Sequence, residues 1–99
     1  MAKITKAVAV GWLADAPQEK QFWCSDGRFL KNLPELAEAL AEMSDETFFY
    51  HSNDSKSDFS KWVGDVIGDE ELSGDLKKNR NRVKAAKAVA DRVRWLRNK

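Results

Sequence analysis

The sequence has few of the residues that specialised sites require. Of its 99 residues, one is cysteine and one is histidine, which excludes an internal disulfide, an all-cysteine metal site and a paired-histidine metal site. The longest stretch without a charged residue, 7–14, is far shorter than the roughly 20 apolar residues of a membrane helix. The first residues also lack the apolar core of a signal peptide. We therefore expect a cytoplasmic protein with no membrane association, cofactor or metal.

Charge and tryptophan are what the sequence has in excess. One third of the residues are charged, four are tryptophan, and 42 % are hydrophobic, which suffices for the core of one small domain. Residues 1–76 hold seven basic and 15 acidic residues, whereas residues 77–99 hold ten basic residues and one acidic residue. Two explanations are open: the basic segment folds against the acidic body, or it binds an anionic partner.

The N-terminal third predicts a small β element. Apolar or long side chains alternate with small ones over residues 4–12, and a period of two favours a strand. Residues 21–24 and 28–30 are separated by the pair Asp26-Gly27, which is typical of a hairpin turn. We expect two or three short strands here.

Helices are predicted after this β element. Asn32 can cap a helix that runs to about Met43, and Ser44 can cap a short helix that reaches His51. From Phe59 onward, apolar residues recur at i, i+3, i+4 and i+7, a helical period that Gly68 ends. The predicted inward stripe of the first of these helices comprises Leu33, Leu36, Leu40 and Met43.

Two further helices complete the expected fold. Asp69 opens a short helix that turns Leu72 and Leu76 inward, and Asn81 can cap the last helix. The predicted apolar arc of that last helix comprises Val83, Ala86, Val89, Ala90, Val93 and Leu96. The expected class is α+β, mainly α, in a single domain, 1–99. It divides into a β element (1–31), an acidic helical core (32–76) and a basic amphipathic helix (77–99).

The middle of the chain resembles a known family. The pattern consists of Asp26-Gly27, Leu33, Glu35-Leu36, Leu40, Met43, Phe48, His51, Asp58-Phe59, Trp62-Val63, Val66, Gly68-Asp69 and Leu72. It is similar to a family of small, mostly archaeal domains of unknown function. The resemblance implies a compact domain and an archaeal setting, and it brings no activity, cofactor or catalytic residue. Residues 1–20 and the basic end are less typical of that family, so a function specific to this protein is expected there.

The residues that could support chemistry favour structural roles. We expect His51 to be half-buried and to hold its corner of the fold through hydrogen bonds to Asp54 or Asp58, because a lone histidine has few catalytic partners. Cys24 has no cation beside it in sequence, so it is interpreted as a core residue rather than a thiolate. The segment that starts at Asp69 superficially matches a calcium loop, but Arg80 occupies the position where a bidentate glutamate is required. We predict no enzyme, no catalytic residue and no metal site.

The tryptophans separate into core and surface candidates. Trp62 shares the apolar period of its helix and is expected in the core, and Trp12 and Trp23 are expected to pack the strands over the helices. Trp95 lies off the predicted apolar arc and is flanked by basic residues. An exposed tryptophan in such a place is a candidate anchor for a protein or a stacking platform for a base.

The sequence thus favours binding over catalysis. The first hypothesis is a non-enzymatic interaction module, a small adaptor or regulatory subunit, that docks a protein partner through its C-terminal helix. The predicted partner-binding residues are Trp95, Lys84, Lys87, Arg94 and Arg97. The alternative is nucleic-acid or ribonucleoprotein binding through basic residues. The residues predicted for that alternative are Lys77, Lys78, Arg80, Arg82, Lys84 and Lys87.

Overall fold

A computed structural model describes residues 4–99 and confirms the α+β, mainly helical class. Within that range, six helices accompany one two-stranded antiparallel sheet. In chain order, the elements are α1 (Lys6–Leu13), a 3-10 turn (Gln18–Lys20), β1 (Phe22–Trp23), β2 (Phe29–Leu30), α2 (Leu33–Glu42), α3 (Asp45–His51), α4 (Asp58–Trp62) with a π-helical turn (Val63–Ile67), α5 (Glu70–Lys78) and α6 (Arg82–Arg97).

The strand predicted for residues 4–12 is wrong, because this segment forms helix α1. The side chain of Thr5 caps the helix by accepting a hydrogen bond from the Val8 amide at 3.2 Å. An extended segment would need a neighbouring strand for its backbone groups, whereas a helix satisfies them internally. Residues 1–3 of the predicted β element lie outside the described residues.

The predicted hairpin is confirmed, and it is the whole sheet of the described chain. Phe22 pairs with Leu30 and Trp23 pairs with Phe29, and Gly27 supplies the left-handed turn conformation with a φ of 100°. Since side chains alternate across a strand, Phe22 and Leu30 enter the core. Trp23 and Phe29 point outward. The expectation that Trp23 packs over the helices is therefore wrong: its side chain is 52 % exposed.

The predicted helix caps are confirmed. Asn32 accepts a hydrogen bond from the Glu35 amide at 2.8 Å, and Ser44 accepts one from the Thr47 amide at 3.0 Å. These contacts satisfy backbone donors that a helix start otherwise leaves unpaired. The predicted stripe of α2 is buried as well, namely Leu33, Leu36, Leu40 and Met43.

Helix α4 ends in a wider π-helical turn. The Gly68 amide donates to the Val63 carbonyl at 2.8 Å, five residues back, and Gly68 adopts a φ of 96°. Such π turns are rare and often lie at functional sites. Here the turn is followed directly by Asp69, which caps α5 and is fully buried.

Reciprocal hydrogen bonds fix α5 against α4. The Ser60 hydroxyl donates to the Ser73 carbonyl at 2.7 Å, and the Ser73 hydroxyl donates to the Ser60 carbonyl at the same distance. At this crossing, a Cβ on Gly64 would lie 3.0 Å from the Ser73 hydroxyl, so glycine permits the close approach. The acidic start of α5 is thus held in a defined place.

Helix α6 is part of the core, with a face rotated from the predicted one. It packs on α2, α1 and α5 and buries Ala85, Val89, Val93 and Leu96. Val83 and Ala90 of the predicted arc are exposed instead, Val83 by 64 %. The buried face is therefore shifted toward Ala85 from the predicted arc.

The basic segment contacts the acidic body of its own chain. Arg82 pairs with Asp45 at 2.8 Å and also donates to the Leu40 and Ala41 carbonyls at the end of α2. Arg80 pairs with Asp54. Together with an ion pair of Arg92 described below, these contacts support the intramolecular explanation of the charge asymmetry.

Candidate functional site

An open groove of about 1030 Å³ lies between α1, α5 and α6. Its apolar lining comes from Ile4, Trp12, Ala88 and Trp95, so two of the four tryptophans share it. Trp95 is 40 % exposed. It lies about 100° around α6 from the buried Leu96, which places it at the edge of the helix that borders α1.

The close approach of α1 to the π-helical turn positions Trp12. A Cβ on Gly68 would lie 3.4 Å from the indole nitrogen of Trp12. Any side chain at this position would also meet the strain of a positive φ. Gly68 therefore ends the helix and at the same time makes room for the indole.

Arg92 is a fixed wall of the groove. Its guanidinium donates to the buried Asp69 carboxylate at 2.8 and 2.9 Å and pairs with Glu71 at 3.2 Å. It also lies over the Trp95 ring, 4.5 Å from the centroid, and 5.8 Å from that of Trp12. Burial alone would lower the pKa of Arg92, but the hydrogen bonds and charges of Asp69 and Glu71 outweigh it and raise the pKa.

The lining of the groove is acidic, although α6 is a basic helix. Five carboxylates line it against two basic groups, Arg92 and Lys99. The carboxylates are Asp69, Glu70, Glu71, Asp75 and Asp91. Among residues 4–99, Glu70 and Asp75 form no ion pair, so their negative charge is available to a ligand.

Asp91 is already engaged within α6. It accepts from Lys87 at 2.9 Å and lies 3.6 Å from Arg94. The hydrogen bond from Lys87 lowers the pKa of Asp91. Both basic partners are exposed and belong to the same helix, so this carboxylate contributes less to the field of the groove than Glu70 and Asp75.

A second cation of the same chain lies on Trp95. The Lys99 ammonium is 4.0 Å from the centroid of the ring, within the range of a cation–π interaction. Unlike Arg92, Lys99 is exposed and forms no ion pair with any of residues 4–99. The ring face therefore accepts a cation that only weak contacts hold in place.

The residues predicted to bind a protein do not share one face. Trp95 lines the groove, and Lys84 lies on the same side of α6 by helical period. Arg94 and Arg97 instead line a smaller cleft of about 420 Å³ between α2 and α6. Lys87 is engaged with Asp91.

The residues predicted for nucleic acid divide similarly. Arg80 and Arg82 contact the acidic body. Lys77 and Lys78 in the last turn of α5, and Lys84 near the start of α6, are exposed and have no acidic partner among residues 4–99. This leaves three available cations around the α5–α6 junction.

His51 has a structural role. It is fully buried rather than half-buried as expected, while its predicted hydrogen bond to Asp58 is confirmed, with Nδ1 at 2.9 Å from the carboxylate. Its Nε2 accepts from the Ser25 amide at 2.9 Å, which places the ring proton on Nδ1. Rings of Phe22, Phe59 and other aromatic residues surround it. Both nitrogens are therefore occupied.

Neither Cys24 nor the acidic side chains of residues 4–99 form a reactive or metal-binding site. Cys24 is buried as predicted, and burial raises the pKa of its thiol. Within the described chain, no three acidic, histidine or cysteine side chains come together in a way that could hold a metal ion. No helix among residues 4–99 is both long enough and apolar enough to cross a membrane.

Sequence reasoning missed an exposed aromatic patch on the hairpin. Trp23 and Phe29 are cross-strand neighbours on its outer face, and the Tyr50 ring lies 6.4 Å from that of Trp23. The alternation of the strand held the signal, because a buried Phe22 and a buried Cys24 require the residue between them to face outward. Lys56 lies over the Tyr50 ring, 4.9 Å from its centroid, but an ion pair with Asp58 at 3.1 Å already holds this cation, whereas Lys99 has no such partner among residues 4–99.

Comparison with known proteins finds no matching family model, no matching curated protein and no matching solved structure. The resemblance to archaeal domains thus stays a prediction, and function is inferred from the groove itself.

Proposed function

We propose that this protein is a non-enzymatic interaction module, an adaptor or regulatory subunit, that binds a protein partner through its C-terminal helix. The binding site is the groove at Trp95. The observation that carries the proposal is the position of Trp95, which is 40 % exposed beside Trp12 in an open groove. Large aromatic side chains on rigid elements are the usual anchors of protein interfaces.

The surroundings of Trp95 support this role because they are rigid. The neighbouring residues Val93 and Leu96 are buried in the core, and the bidentate contact of Arg92 with Asp69 fixes the wall behind the ring. A preorganised site loses little conformational entropy when a partner binds. The proposal keeps the cytoplasmic setting expected from the sequence and the archaeal setting that the resemblance implies.

Differential capture tests the proposal. The whole protein serves as bait in nuclease-treated extract of its native cells, with Trp95→Ala and Trp23→Ala as matched variants, since both tryptophans are exposed. Substitution is preferable to deletion of residues 77–99, because α6 carries four buried residues. We expect a protein that wild type and Trp23→Ala retain and Trp95→Ala loses. A partner retained equally by Trp95→Ala would overturn the proposal, and a partner lost only by Trp23→Ala would move the site to the hairpin.

Nucleic-acid binding remains the second candidate, favoured by Lys77, Lys78 and Lys84. These exposed cations lack acidic partners among residues 4–99. Such binding releases counterions, so log affinity for a duplex should fall with log salt concentration by about 0.9 per phosphate contacted. Titration of a labelled duplex at two salt concentrations measures this slope. Affinity that does not change with salt would exclude the mechanism.

A further inference from the structure

We infer that the partner segment held in this groove is cationic: one lysine or arginine side chain of a basic peptide segment replaces Lys99 on the Trp95 ring, and basic side chains of the same segment pair with Glu70 and Asp75. The inference rests on the proposed function and specifies the chemistry of its partner. It differs from the explanation of the basic residues 77–99 as a site for an anionic partner, one of the two left open by the sequence.

Charge complementarity is the first argument. Five carboxylates line the groove against two cations, and Arg92 is already neutralised by Asp69 and Glu71. Glu70 and Asp75 keep their charge free of ion pairs within residues 4–99. An anionic segment would meet repulsion from both of them, whereas a basic segment gains attraction as it approaches.

The Trp95 ring is the second argument. Lys99 lies 4.0 Å from its centroid, so the face of the indole is already used as a cation site. Lys99 is exposed and makes no ion pair within residues 4–99, and an incoming ammonium or guanidinium group that also reaches Glu70 or Asp75 would be held more strongly. Arg92 cannot be displaced in this way, since Asp69 and Glu71 hold it.

The dimensions of the groove are the third argument. Its volume of about 1030 Å³ is open to solvent and spans three helices. Pockets for small molecules enclose most of their ligand and reach about 1,000 Å³ at the upper end. An open groove of this size suits a segment of polypeptide that brings several side chains along α6.

Two matched synthetic peptides provide the probe. Both are amphipathic helical peptides with leucine on one face, and the polar face carries lysine in one and glutamate in the other. Titration into the ¹⁵N-labelled protein is followed by the indole N–H signals of the four tryptophans. We expect the lysine peptide to shift the signals of Trp12 and Trp95, to leave that of the buried Trp62 unchanged, and to bind more tightly than the glutamate peptide. Equal binding of the two peptides, or shifts confined to Trp23, would overturn the inference.

Charge-matched variants separate the site from general attraction to an acidic protein. Glu70→Gln with Asp75→Asn should weaken binding of the lysine peptide by about five- to tenfold. The control, Glu38→Gln with Glu46→Gln, removes two exposed acidic charges on α2 and α3 and should change binding less than about twofold. Equal losses in the two double variants would contradict a defined cation site.

Removal of the internal cation tests the displacement step. Lys99→Gln should tighten binding of the lysine peptide by about two- to fivefold, the strength of an exposed cation–π contact. Lys77→Gln removes the same charge away from the ring, and its effect should be smaller. An equal increase in affinity for the lysine peptide in both variants would show that only the net charge of the protein affects binding and that Lys99 is not displaced.

The outcomes also distinguish this inference from the proposed function. A native partner that requires Trp95 but is retained by Glu70→Gln with Asp75→Asn would leave the interaction module standing and overturn the cationic partner. A native partner that Trp95→Ala retains as well as wild type does would overturn the proposed interaction module, whatever the peptides show.

Discussion

The surroundings of Trp62 and Trp95 differ in a way that separates fold from function. Trp62 is 7 % exposed, its indole N–H donates to the Lys20 carbonyl at 2.8 Å, and the Phe22 ring packs 5.9 Å away. Trp95 is 40 % exposed and carries two cations on or near its ring. Both residues lie at the C-terminal ends of their helices, but the Trp62 side chain faces the core and the Trp95 side chain lies at its edge.

The two regions also use charge differently. In the region of Trp62, the buried His51 ring packs against Phe22, accepts from the Ser25 amide of the hairpin and contacts the half-buried Asp58. Around Trp95 the ion pair of Arg92 with Asp69 supports a surface that stays open. A buried polar side chain therefore completes the core at His51, whereas at Asp69 it supports the wall of a groove.

Loss of Trp62 should produce the largest effect. Trp62→Ala opens a cavity beside Phe22 and leaves the Lys20 carbonyl without its donor, so the free energy of unfolding should fall by about 3–5 kcal/mol. Since small domains have roughly 5–15 kcal/mol in total, this variant should be close to unfolding. Urea denaturation measures the loss, with Trp23→Ala as the exposed control. If both variants lose the same stability, the distinction between core and surface tryptophans fails.

Substitution of Arg92 should have the next largest effect on the free energy of unfolding, because it leaves a buried carboxylate without its counter-charge. Arg92→Leu leaves the Asp69 carboxylate without its bidentate partner, and breaking one side of a buried pair costs about 3 kcal/mol or more. The double variant Arg92→Leu with Asp69→Asn removes that charge and keeps a capping side chain. It should recover part of the loss. A cycle of the four proteins in urea measures the coupling, and additive losses would contradict a buried pair.

Loss of Trp95 should be the smallest effect on stability. Trp95→Ala removes a half-exposed ring from the edge of α6, so we expect the free energy of unfolding to fall by at most about 1 kcal/mol and Tm to fall by at most about 4–8 °C. The free energy of binding to the partner should weaken by about 1–3 kcal/mol because the aromatic anchor is lost. Thermal unfolding and binding are measured on the same preparations. A Trp95→Ala protein as unstable as Trp62→Ala would assign Trp95 to the fold and exclude it as an anchor.

Much of the fold could be predicted because it depends on local interactions. Asn32 and Ser44 cap helices through amides three residues away, and Asp26-Gly27 turns a hairpin whose register is local too. Residues 4–12 were predicted wrongly because alternation of alanine and larger residues fits a strand as well as a helix. No nearby strand of the described chain is long enough to pair with this segment, and that fact lies outside the segment itself.

The candidate site was predictable only in part. The period of α6 alone places Trp95 away from Leu96 and the other core residues, so an exposed tryptophan was foreseeable from the sequence. Trp12 was not, since its position depends on α1 being a helix and on the space beside Gly68. The division of the predicted basic residues between the groove, the α2 cleft and the α5–α6 junction likewise depends on which neighbours pack against α6.

Interactions within a few residues therefore made the helix caps and the exposure of Trp95 predictable from the sequence, whereas the helical state of Lys6–Leu13 was not. Only the tertiary structure decided the electrostatic character of the surface around that residue. Glu70 and Asp75 reach the groove from α5, at least 20 residues away along the chain, after the π-helical turn and the Arg92–Asp69 pair set the angle of that helix. Coulomb interactions depend on separation in space, so a basic segment of the sequence can border an acidic groove in the folded protein.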